Sequence, residues 1–99
     1  MNMQALMKQA QNLQKDMMKA KEEIDKTEFT GESALVKVVV LGTKEVKKVE
    51  IDRDSDLTSD DLEVLEDMFL VAINEAMKKV DEETEKKMGK FSSMLPGGF

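Results

Sequence analysis

Between Asn2 and Lys26 the apolar residues Met3, Leu6, Ala10, Leu13, Met17, Ala20 and Ile24 recur in alternating steps of three and four, with Met7 and Met18 beside them and neither Gly nor Pro between. That spacing is the seam of a coiled coil. It predicts one helix of roughly 24 residues, about 36 Å long, which is more than a small sheet can cover. The period then changes to two. Thr27 to Glu32 alternates weakly around Phe29, Leu35 to Leu41 strongly, and Val46 to Ile51 again. Each of these segments predicts a strand. Turns at Gly31 to Ala34 and at Gly42 to Glu45 join the three into an antiparallel meander, because parallel strands would need long crossovers. In the middle strand Val36, Val38 and Val40 form one face, with Val39 and Leu41 opposite, so each face is expected to be partly covered.

A second helix announces its start. Thr58 fits an N-cap, Asp61 the N3 position of a capping box, and Leu57 with Leu62 a hydrophobic staple. Leu62, Leu65, Phe69, Ala72, Ile73, Ala76, Met77 and Val80 follow the helical period, and Met68, Leu70 and Val71 make the middle apolar nearly all round. From Asp81 to Lys87 the chain is highly charged, which predicts an end that projects into solvent as far as Met88 and stops at Gly89. The resulting fold class is α+β, in the order α-β-β-β-α. Residues 1–91 form a single domain and 92–99 a flexible C-terminal tail.

Composition narrows the chemistry. The 99 residues include no Cys, His, Tyr or Trp, so the usual zinc ligands and most general bases and nucleophiles are missing. No enzyme activity, metal, cofactor or small-molecule substrate is expected. Asp52, Asp54, Asp56, Thr58, Asp60 and Glu63 do fall at the ligand positions of an EF-hand loop, but Leu57 stands where that loop turns on Gly, and a strand precedes it. Acidic residues also collect at helix N-termini simply to meet the dipole. No apolar run resembles a secretory signal or reaches membrane-spanning length, so a cytoplasmic protein with no membrane contact is expected. Nine Met against four Phe give an adaptable apolar surface that a second copy would complete.

The net charge of −6 opposes non-specific binding of nucleic acid by the molecule as a whole. Its distribution is uneven. Residues 1–21 hold Lys8, Lys15, Lys19 and Lys21 against Asp16, whereas 52–67 hold eight acids against Arg53. Lys8 and Lys15 lie one heptad apart, opposite the seam. Lys79, Lys86 and Lys90 can line one side of the second helix, with Lys78 and Lys87 adjacent. Such rows suit phosphate contact, although solvated helix faces carry the same charges. The absence of aromatic residues from them favours the backbone of a duplex over stacked single strands. The Met-rich seam likewise reads either as a pairing surface, for a dimer or within the chain, or as a greasy surface for non-native clients.

Four segments, in order, carry a resemblance: MQALMKQAQNLQKDMMKAKEEI (Met3 to Ile24), GTKEVKKVEID (Gly42 to Asp52), LEDMFLVAINEAMKKV (Leu65 to Val80), and KMGK with a PGGF ending. Together they resemble the YbaB/EbfC family of bacterial nucleoid-associated DNA-binding proteins. The resemblance implies a homodimer with a joint sheet and paired helices projecting like tweezers, found in the cytoplasm on the nucleoid. It also implies double-stranded DNA as the partner, with limited sequence preference, and a nucleoid-organising or regulatory role. DNA-binding candidates, chosen by charge on the projecting helices, are Lys8, Lys15, Lys19, Lys79, Lys86, Lys87 and Lys90. Candidates for dimerisation are Leu6, Leu13, Val36, Val38, Val40, Phe69 and Ile73. A prefoldin-like chaperone or protein-interaction module, using its Met-rich helices, is the alternative with the same element order.

Overall fold

The computed structural model describes residues 2–92. Helix α1 spans Met3–Lys26, strands β1, β2 and β3 span Glu28–Ser33, Val36–Leu41 and Val46–Ile51, and helix α2 spans Leu62–Ser92. The Asn2 side chain accepts from the Gln4 N–H at 3.0 Å to open α1. At its other end the Thr27 N–H donates to the Ile24 carbonyl at 3.0 Å and turns the chain into β1. A single 3-10 turn, Ser59–Asp61, precedes α2, with the Asp61 carboxylate accepting from the Thr58 N–H at 2.9 Å and from its hydroxyl at 3.2 Å. The capping box expected of Thr58 and Asp61 is thus present around that first turn. The proposed staple does not close, since Leu57 and Leu62 stay exposed.

The sheet is antiparallel in the order β1-β2-β3, with Gly31 opposite Val38 and Val38 opposite Val49. Val36, Val38 and Val40 therefore share a face with Phe29 and Gly31 on one side and with Val49 and Ile51 on the other. Helix α2 crosses this face over β1 and β2 but not β3. Ala72, Ala76 and Val80 close the core with the three valines, all fully buried. Each valine removed from water contributes roughly 1.5–3 kcal/mol.

Gly31 does not turn the chain, as its position between two strand patterns suggests. It lies inside β1 beneath α2, where an added Cβ would come 1.9 Å from the Ala72 carbonyl oxygen. The hairpin turn is instead Ala34 and Leu35, with Ala34 at φ 48. Gly42 repeats the device at the far end of β2, where a Cβ would meet the Ile24 carbonyl oxygen at 1.8 Å. These two contacts seat both helices on the sheet. Between Val39 and Val40 the register to β3 shifts, so Lys47 is an extra residue in the ladder.

Beyond the sheet α2 continues through Gly89 to Ser92, three residues past the stop that Gly89 suggests. Tertiary packing overrides the local signal: Phe91 is 4% exposed, and the end of α2 runs along the C-terminal half of α1, where Ile24 is buried and Met17 and Ala20 are half-buried. An apolar groove lined by Met17, Met18, Ile24 and Met88 runs between them. Toward the N-terminus of α1 that cover ends. Met3, Leu6 and Met7 are 69%, 43% and 59% exposed, and the molecule is 72 Å long but only 21 and 13 Å across. Of the segment read as a tail, Ser92 belongs to α2 and 93–99 lie outside the described residues.

Two substitutions test this packing. Gly31→Ala must push α2 off the sheet, and urea unfolding should show a loss of about 1–3 kcal/mol or more. Gly89→Ala meets open space within a helix and should raise stability by about 0.5–1 kcal/mol. A helix that ended before Gly89 would gain nothing from the second change.

Candidate nucleic-acid interface

Helix α1 presents two opposite faces. Its seam turns toward α2 from Leu13 to Ile24, while Lys8, Lys15 and Lys19 stand on the outer side, all exposed. At 100° per residue these three lie within about 40° of one another. Gln4, Gln11 and Asn12 flank them on the same side. From Asn2 to Lys15 there is no acidic residue, and Lys8, Lys15 and Lys19 form no ion pair among the described residues. This half of α1 is therefore a cationic rod with uncommitted donors.

The lysines of α2 are placed differently. The Lys79 ammonium donates to the Thr30 carbonyl at 2.7 Å and lies 3.4 Å from Glu75, which ties α2 to the β1 edge. Lys87 sits 3.9 Å from both Glu23 and Glu83, bridging the two helices. The Lys90 ammonium lies 5.1 Å from the centre of the Phe91 ring, over its face. Lys86 is exposed, with Glu82 and Glu83 one turn before it. The seven candidate lysines thus do not form one patch. Three share a stripe on α1, and the α2 set is interleaved with carboxylates or occupied in structure.

Other basic residues lie on the sheet face that α2 leaves open. Lys47 bonds Glu28 and Lys48 pairs with Glu50. The hydrogen bond from Lys47, then its charge, holds the Glu28 carboxyl below the usual carboxylate range, and Lys48 does the same for Glu50. Both pairs are solvated, and this face is charge-balanced. The acidic stretch after β3 is engaged locally: the Asp52 carboxylate accepts from the Asp54 N–H at 3.0 Å, and Asp61 is held by Thr58. Among the described residues no three carboxylates converge on a common point.

The dimerisation candidates also divide. Val36, Val38 and Val40 are 0–2% exposed beneath the chain's own α2 and have no surface left for a partner. Sequence alternation identified them as apolar but not which layer covers them. Leu6 is exposed and Leu13 half-buried on the α1 seam. Phe69 and Ile73, half-buried, lie one turn apart on α2 and pack against the core, and Phe69 lines a cleft with Val49 and Ile51. Because α2 stops short of β3, Val46, Val49 and Ile51 remain 46%, 54% and 37% exposed on the core side. The small residues Gly31, Ala72 and Ala76 were the available signal, since only over β1 and β2 can a helix approach so closely.

Comparison with known proteins bears on the same chain length. The model of the YbaB/EbfC DNA-binding family matches residues 1–95. A nucleoid-associated protein of Streptococcus suis is 47% identical over 97 residues, covering 97% of this chain and 98% of that protein. One from Streptococcus thermophilus is 47% identical over 98 residues, covering 97% and 98%, and one from Ligilactobacillus salivarius is 43% identical over 98 residues, covering 98% and 94%. Among the described residues no helix is long and apolar enough to cross a membrane. With the family's model matched nearly end to end and relatives aligned over their whole length, the chain belongs to the YbaB/EbfC DNA-binding family.

Proposed function

We propose that this protein is a homodimeric nucleoid-associated protein that binds double-stranded DNA chiefly at its phosphates, with lysines on projecting helices, and so organises or regulates the nucleoid. The observation that carries the reading is the outer face of α1, free of acids from Asn2 to Lys15, with Lys8, Lys15 and Lys19 unpaired among the described residues even where Asp16 and Glu22 stand within a turn of Lys19. Local charge decides contact here, because at physiological salt interactions fade over about 8 Å, and the acids at 52–67 are on the far side of the sheet from α1. Lys86, Lys87 and Lys90 sit near carboxylates and contribute less; Lys79 serves mainly to hold α2.

The dimer reading rests on Val46, Val49 and Ile51, left exposed on β3, with Phe69 in the cleft beside Val49 and Ile51. A second copy laid there continues the sheet and covers apolar surface that the monomer leaves wet. The exposed Met3, Leu6 and Met7 at the tip of α1 favour a second reading, a prefoldin-like holder of protein segments. Suppression of client aggregation with no shift of DNA would select that reading.

In gel shifts with duplex DNA across a salt series, affinity should fall steeply, with a slope that flattens by about 0.9 for each phosphate contact removed. The triple variant Lys8→Ala, Lys15→Ala, Lys19→Ala should lose most affinity and flatten the slope. Binding indifferent to salt contradicts the phosphate reading. Light scattering should give twice 11.2 kDa for the wild type, and Ile73→Asp should shift the mass toward that of one chain. A wild-type mass of one chain removes the dimer.

A further inference from the structure

The outer stripe of α1 holds more than lysines. Gln4, Lys8, Gln11, Asn12, Lys15 and Lys19 follow one another at steps of one to four on one face, within about 100° of arc, so amide and ammonium donors are interspersed over about 22 Å of helix. All six side chains are exposed, and the three amides form no side-chain hydrogen bond among the described residues. The neighbouring faces hold the seam, which is apolar, and Asp16, which begins the acidic part of the helix.

We propose that Gln4, Gln11 and Asn12 are DNA-binding residues that hydrogen-bond phosphate oxygens of duplex DNA between those held by Lys8, Lys15 and Lys19. This rests on the DNA reading above and extends it to uncharged groups. An ammonium binds a phosphate as a point charge and releases counterions, so its contribution falls with salt. An amide NH₂ donates two hydrogen bonds, releases no counterion, and fixes register instead of adding charge. Combining the two on one stripe gives a contact with a salt-sensitive and a salt-insensitive part. A row of six ammonium groups at this spacing would repel itself along the helix, whereas amides occupy the gaps without that cost. Because both donor types share one face of the helix, they meet the same row of acceptors, and the row that accepts from lysine regardless of sequence is the phosphate backbone.

The two contributions separate in titrations of labelled duplexes of about 30 base pairs, one rich in A·T and one in G·C, at four or more salt concentrations, with the full chain. The variant Gln4→Ala, Gln11→Ala, Asn12→Ala should bind at least about tenfold more weakly at every salt concentration, with a slope parallel to wild type and an equal loss on both duplexes. The variant lacking Lys8, Lys15 and Lys19 should instead show a flatter slope. Alanine favours helix, so circular dichroism should show α1 intact in both. If the amide variant binds like wild type while the lysine variant is weakened, the amide proposal fails and the DNA reading stands. A loss confined to one duplex overturns the phosphate assignment in favour of base-edge contact, and a loss that vanishes at high salt overturns it as well. No shift by the wild type, or a lysine variant with wild-type affinity and slope, removes the DNA reading itself.

Discussion

The close seat of α2 on β1 and β2 governs the rest of the molecule. Gly31 beneath the Ala72 carbonyl, with Ala72 and Ala76 fully buried, lets the helix backbone approach the sheet without a side chain between. The contact is off-centre. It seals Val36, Val38 and Val40 completely, yet leaves the apolar side of β3 in water, and it directs the second half of α2 past the sheet to lie along α1. A core of four valines and two alanines is small for a rod 72 Å long, so much apolar surface is left for other contacts.

Charge follows the same axis. The end of α2 interlocks with α1 through Lys87 between Glu23 and Glu83, and Lys79 is fastened to β1, so the basic residues nearest the core serve the fold. Along α1 from Asn2 to Lys15 no acid is present, and Lys8, Lys15 and Lys19 form no ion pair among the described residues. An acidic protein can thus offer a local cationic surface, since the acids after β3, of which Asp52 and Asp61 are bound locally, follow the Ile51 end of the sheet, opposite the Gly42 end where α1 joins it.

The element order was legible because each period is long and uninterrupted: the heptad of α1, the alternation of β2 and the stripe of α2 all appear where the residues predict them. Local turn chemistry misled at two glycines. Gly31 and Gly89 both read as chain breaks, but one admits a helix at close range and the other sits in a helix held by Phe91 further on. Those are tertiary facts with no local signature. The layer that covers each strand face was likewise hidden, which is why three core valines resembled a pairing surface. For the lysines, sequence gave charge and helical face, but not which had carboxylates or carbonyls within reach, as Thr30 is for Lys79 across 49 positions.

The central claim is that the outer face of α1, and not the sheet, meets the duplex. Backbone amide resonances followed while unlabelled duplex DNA is added test it directly. The account predicts shifts concentrated between residues 4 and 19, with β3 and the acidic stretch 52–67 unmoved. Perturbation centred on the sheet, with the N-terminal half of α1 silent, would contradict it.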